Sequence, residues 1–131
     1  MIITPFSKIV RLPEFDRDMK KLIRRFRSLE DDLDNFIKIE LVLFHKLWVD
    51  NKGVVPMAGL GFQGPKVFKG RKFACRALKG KGARSGIRVI YAYFMELDKI
   101  ELIEIYYKGD KQNEDRGRIL SHYKLASSRQ D

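Results

Sequence analysis

The chain has 131 residues, enough for one hydrophobic core and too few for two, so a single domain over residues 1–131 is expected. Hydrophobic residues at 44% and charged residues at 34% exclude a disordered basic tail, and a net charge of +10 at pH 7 points to a polyanionic partner. The lone Cys75 excludes an intrachain disulfide and fits a reducing compartment. The start, Met1-Ile-Ile-Thr-Pro-Phe, lacks the pattern of an export signal, and no run reaches the ~18 apolar residues of a spanning helix. A cytoplasmic location with no membrane partner is the expectation.

Taken in order, Ile9 to Leu12 is a short β-prone run that stops at Pro13, a residue suited to the first turn of a helix. Phe15, Met19, Leu22, Ile23 and Phe26 then recur at helical spacing, with Lys20, Lys21, Arg24 and Arg25 on the other side. That basic side reads first as a solvated face, with phosphate contact as the alternative. Ser28 followed by Asp31 resembles a capping box, opening a second helix whose apolar residues run from Leu29 through Phe44 to Leu47 and Trp48. Asn51 and Gly53 are its expected stop. His45 has no ligand-spaced partner and reads as structural.

Val54 to Gly64 loses all periodicity and is expected to be a loop. Its Gly59, Gly61 and Gly64 formally match a dinucleotide fingerprint. That site needs a helix after the last glycine and an acid ~20 residues on, and this sequence has Pro65, β-like residues and no acid. Three strands are expected next. Val67 to Leu78 would place Phe73, Cys75 and Ala77 opposite Lys72, Ala74 and Arg76. Ile87 to Phe94, apolar on both faces, is expected at the centre of the sheet. Ile100 to Tyr107 would set Ile100, Leu102, Glu104 and Tyr106 against Glu101, Ile103, Ile105 and Tyr107. Short connections make these an antiparallel meander covered on one side by the two helices. A short C-terminal helix is expected after Asn113, fraying from Ser127 to Asp131. The fold class is therefore α+β, a small mostly antiparallel sheet packed on an N-terminal helical hairpin, with a short final helix.

The charge is unevenly placed. Between Asp50 and Glu96 there is no carboxylate, yet ten Lys and Arg residues fall there, matching the whole net charge. The remaining 17 basic residues balance the 17 acidic ones. Arg88 stands out, because a cation in the middle of a central strand is costly unless that face opens to solvent or an anion. Arg76 would share its face if the register allows. Lys79, Lys81 and Arg84 lie on a Gly-rich loop that can wrap a phosphodiester or remain solvated; composition leaves both readings open. Lys66, Lys69, Arg71 and Lys72 add general electrostatic attraction.

Lys79-Gly-Lys81-Gly-Ala-Arg84-Ser-Gly-Ile-Arg88-Val-Ile-Tyr91, followed by Ile105-Tyr-Tyr-Lys108-Gly-Asp-Lys111-Gln-Asn-Glu-Asp, resembles the RelE/ParE superfamily of type II toxins, and within it the HigB-type mRNA endonucleases. The resemblance implies a RelE-like fold, a cognate antitoxin as partner, and cleavage of mRNA on the ribosome by its own 2′-hydroxyl, with no metal and no cofactor. It implies that Arg88 and Arg84 hold the scissile phosphate, that Lys79 and Lys81 contact phosphate or assist proton transfer, and that Lys108 and Lys111 approach from the end of the last strand. Arg76, Lys72, Arg71, Lys69, Tyr91 and Tyr107 are the accompanying RNA-binding candidates. Tyr91, Tyr106 and Tyr107 are the tyrosines available for proton transfer, although strand tyrosines are more often packing residues. The alternatives are a ParE-type gyrase poison and an RNA- or ribosome-binding module without chemistry.

Overall fold

A computed structural model describes residues 5–128. The chain is α+β: β1 (Lys8–Arg11), α1 (Pro13–Ile23), α2 (Leu29–Phe36), a π-helical turn (Ile37–Leu41), α3 (Val42–His45), β2 (Val54–Pro56), β3 (Lys66–Gly70), β4 (Ile87–Phe94), β5 (Lys99–Tyr107) and α4 (Arg116–Ser128). The five strands form one sheet in the order β1-β5-β4-β3-β2, antiparallel except for the parallel β1–β5 pair. The mixed sheet follows from connectivity, because α1, α2 and α3 carry the chain from one edge of the sheet to the other.

Two cores sandwich the sheet. On one face Phe15, Met19, Leu22, Leu29, Leu33 and Phe36 of the helices meet Val89, Tyr91, Ile100, Leu102 and Ile105. On the other, Ile119 and Tyr123 of α4 meet Val67, Ile90, Ala92, Ile103 and Tyr106. The N-terminal helices cover one side as expected, and α4 adds cover on the other. The segment expected to be wholly loop supplies part of the second cover: Val54–Pro56 pairs with β3 as an edge strand, where a proline is tolerated, and Met57, Leu60 and Phe62 pack on the second core. The Phe62 ring stacks on Tyr123, 6.0 Å between centroids.

Other differences have local causes. The capping box does not form. Ser28 Oγ donates to Asp32 Oδ2 instead (2.6 Å) and accepts the Ala77 N–H, while Asp31 pairs with Arg76. The first of the three expected strands, Val67 to Leu78, ends at Gly70, because residues beyond it turn toward α2, where Asp32, only 2% exposed, accepts both the Arg76 N–H and its Nε–H. Arg76 therefore does not share a strand face with Arg88. The second helix stops at His45, before Asn51. Trp48 at φ 60° takes the left-handed position expected of a later residue and stands 82% exposed beside exposed Leu47, so neither joins the buried face.

In β5 strict alternation fails. Ile90 pairs with Glu104 but Tyr91 pairs with Leu102, so Ile103 is the extra residue of a β-bulge. Before the bulge Ile100 and Leu102 face the helices; after it Ile105 and Tyr107 do, and Ile103 and Tyr106 face α4. α4 begins one residue after Asp115, whose carboxylate caps the Arg118 N–H, rather than at Asn113. Its helix runs through Ser128, against the expected fraying at Ser127, and residues 129–131 lie outside the described ones.

β1 ends before β5 does, which leaves the far half of β5 without a strand partner on that side. Asp18 of α1 accepts the Ile105 N–H (3.1 Å), and Arg118 of α4 donates to the Ile103 carbonyl (3.0 Å) and to Asp18 (2.7 Å). One carboxylate and one guanidinium thus satisfy the open edge and bind both helices to it.

His45 sits among Phe6, Phe44, Phe68, Tyr91 and Tyr93, with Nε2 2.7 Å from the Tyr91 hydroxyl. Burial, assisted by the charge of Lys46, lowers its pKa to about 4. The unfolded chain takes up this proton near pH 6.5 and the folded chain does not, so stability is complete above 6.5 and falls as pH drops toward 4. Urea unfolding between pH 7 and 5 should show this decline, and His45→Gln should flatten it. At Gly70 a β-carbon would lie 2.3 Å from Cζ of Phe36, which packs directly on the backbone there. Gly70→Ala should destabilise by about 1–3 kcal/mol, the range for overpacking, with an unchanged urea m-value.

Candidate anion-binding basin

β4 begins at Ile87, and just before it the carbonyl of Gly86, at φ +86°, accepts the Lys108 N–H (2.8 Å) and brings the end of β5 beside the start of β4. β3 ends on the opposite side of β4, with Gly70 across from Val89. Three chain segments therefore meet at one sheet end. Their side chains, Lys69 and Arg71 from β3 and its end, Arg88 from β4, and Lys108, Gln112 and Asn113 from the segment after β5, line an open basin of about 340 Å³. No carboxylate lines it.

Arg88 is half-buried at its floor. One of its nitrogens donates to the Arg71 carbonyl (3.0 Å), which fixes the guanidinium without neutralising it. Burial, with the charge of Arg71, lowers its pKa from the usual arginine value, and the group remains a cation. Arg71 and Lys108 have no ion-pair partner among the described residues. A cation held by a backbone carbonyl beside two unpaired ones is an arrangement that a phosphate group satisfies.

Two acids stand behind the basin. Lys69 pairs with Glu114 (3.0 Å), and Lys111 pairs with Glu104, a carboxylate only 1% exposed that also accepts the Asp115 N–H. Burial works to raise the pKa of Glu114, but the bonds from its own amide and Lys69, with the charge of Arg116, hold it below the ordinary carboxylate value. Tyr106, opposite Arg88 in the β4–β5 register, has a buried hydroxyl near Lys69 that meets no well-formed hydrogen-bond partner among the described residues. Burial raises its pKa, and the nearby Lys69 works against that rise.

Of the residues singled out in the sequence, the structure brings Arg88, Lys108, Lys69 and Arg71 together. Lys111 is adjacent, its ammonium 5.3 Å from the Tyr106 ring centroid, but it is engaged by Glu104. Lys79, Lys81 and Arg84 are exposed, make no ion pair among the described residues, and do not line the basin. Their loop leans toward α2, where Ala83 joins Lys72 and Arg76 around a shallow depression of about 180 Å³. Arg76 is held there by Asp31 and Asp32. Tyr91 is fully buried on the helix face, bonded to His45, and no nucleotide reaches it. Tyr107 packs edge-on to Phe26 (5.2 Å) beneath Arg25 and faces away from the basin. His122, on α4, lies 3.9 Å from Glu101 and outside the basin.

Gln112, Asn113, Glu104 and Glu114 escaped the sequence reading. The one available signal was Glu104, an acid inside an apolar strand, which strict alternation placed on the wrong face.

No family model, curated protein or solved structure matches the chain. Fold and basin together define an α+β domain with a cationic, carboxylate-free hollow at one sheet end. Among the described residues no helix is long and apolar enough to cross a membrane. Because Glu114 occupies Lys69, Glu114→Gln should raise affinity for inorganic polyphosphate and steepen the log–log salt dependence by about one. Fluorescence competition across a salt series measures both.

Proposed function

We propose that this protein binds RNA through the basin and acts as a translation-inhibiting, ribosome-dependent mRNA endonuclease of the RelE/ParE type, closest to the HigB-like branch, held in check by a cognate antitoxin in the cytoplasm. The convergence of Arg88, Arg71, Lys108 and Lys69 around a hollow without carboxylates carries this reading. The toxin assignment itself rests on the resemblance of the Lys79–Tyr91 and Ile105–Asp115 motifs.

In the proposed reaction the 2′-oxygen attacks the adjacent phosphorus and gives its proton to water. The bond to the 5′-oxygen breaks, that oxygen is protonated, and a 2′,3′-cyclic phosphate and a 5′-hydroxyl remain. Negative charge grows on the non-bridging oxygens. The fixed guanidinium of Arg88, with Arg71 beside it, meets that charge without reorganising, the usual largest contribution to such catalysis. Lys108, an unpaired ammonium on the rim, can donate to the departing oxygen. Lys79, Lys81 and Arg84 serve the strand where it leaves the basin, and Arg76 plays a structural part.

One observation favours a second reading, a non-catalytic RNA- or ribosome-binding module. No histidine or carboxylate lines the basin, so no ready proton acceptor stands beside the 2′-oxygen. A gyrase-directed reading has no such support. Translation in vitro with 5′-end mapping of the message separates the two. Ribosome-dependent cuts that fall at least 100-fold in Arg88→Ala, the scale of one lost oxyanion donor, are the expected result. Intact mRNA with stalled translation would favour the binding module, and intact mRNA with normal translation would remove both.

A further inference from the structure

The exposed side of α1 carries Arg17, Lys20 and Lys21, and Arg24, the residue that caps its C-terminus in helical conformation, continues the row. At 100° per residue these four fall within an arc of roughly 100°, directly opposite buried Phe15, Met19 and Leu22. The acids of α1 do not offset them. Asp18 and Glu14 pair with Arg118, and the half-exposed Asp16 lies 3.9 Å from Arg11. Among the described residues none of the four stripe cations has an ion-pair or hydrogen-bond partner. The acids of α1 thus flank the outer row and pair elsewhere, and the row itself is cationic.

The row and the basin lie on opposite faces of the sheet: α1 packs on the face of Val89 and Tyr91, whereas Arg88 shares the face of Ile90 and Ala92, which α4 covers. Arg25, next in the chain, is neutralised by Asp110 (2.7 Å) in the turn after β5 and does not extend the row. The chemistry of the row also differs from that of the basin. The row is convex, and it presents no aromatic ring, since Phe15 and Phe26 are buried. Single-stranded RNA is gripped by grooves with stacking platforms, whereas a bare cation row contacts only backbone. Cβ atoms three or four residues apart on a helix are ≈ 5–6 Å apart, of the same order as successive phosphates along a strand.

We propose that the outer row of α1 is a second RNA-binding surface, which docks on the phosphate backbone of double-helical RNA and carries no sequence preference. The choice of RNA over other polyanions rests on the reading of the basin as an RNA site. The basin then takes a single strand on one face of the sheet while α1 holds a duplex on the other.

The test uses a blunt RNA duplex of twenty base pairs and a single strand of equal length, with fluorescence anisotropy across a salt series. The variants are Arg17→Gln/Lys20→Gln/Lys21→Gln/Arg24→Gln on the stripe and Arg88→Ala/Lys108→Ala in the basin, with circular dichroism and thermal midpoint as folding controls. With about 0.9 per phosphate contact, loss of four contacts should lower the duplex log–log salt slope by about 3.6 and weaken duplex binding at least tenfold, leaving the single strand within about twofold. Duplex binding unchanged in the stripe variant overturns the proposal. So does a protein that ignores duplex RNA but binds phosphatidylserine vesicles or polyglutamate through these residues. If the basin variant leaves single-strand binding intact while the stripe variant still loses the duplex, the surface on α1 stands and the reading of the basin falls.

Discussion

Three carboxylates placed between elements hold this molecule in shape, and each must be fully bonded because an isolated buried charge costs several kcal/mol or more. Asp18 joins α1, the open edge of β5 and α4. Asp32 ties the irregular segment after β3 to α2. Glu104 anchors the approach to α4 through the Asp115 N–H and Lys111. All three accept backbone N–H groups that no strand or helix neighbour satisfies. Irregular chain is thereby fixed as firmly as ladder, and the end of the sheet where the basin lies is built from such chain.

The same three residues decide where the charge goes. Carboxylates committed to the interior cannot neutralise the surface, so the surplus of cations collects where the acids are absent. Arg71, Arg88 and Lys108 gather in the hollow, and Arg17, Lys20, Lys21 and Arg24 line the outside of α1. The turn from Lys108 to Lys111 lies between them, with Asp110 reaching to Arg25. The two groups are far apart along the chain, and the fold places them on opposite faces of the sheet.

Much of the fold was legible because β1, α1, β4 and the apolar residues of α2 follow their periods without competition. Arg88 as a costly cation in a central strand was legible for the same reason. What was hidden depended on bonds between distant residues. Arg76 looked like a strand residue until Asp31 and Asp32, more than forty positions earlier, drew it to α2. Val54–Pro56 is too short to show a period, and β3 supplies its hydrogen bonds. Tyr91 looked available because alternation cannot tell which face of a doubly covered strand is the drier. Lys79, Lys81 and Arg84 show the limit most plainly: proximity in sequence to Arg88 did not become proximity in space, because the glycines that free their loop leave it to follow α2.

The extra residue at Ile103 also bears on curvature. A bulge bends its strand and tightens the local twist, so the last residues of β5 do not continue the plane of the sheet. Lys108 and the amides of Gln112 and Asn113 come after that bend, while Arg88 and Arg71 come before any comparable one. The hollow is therefore concave where a regular sheet end would be flat. In a flat end the same four cations would repel one another across open water and offer an anion one side only.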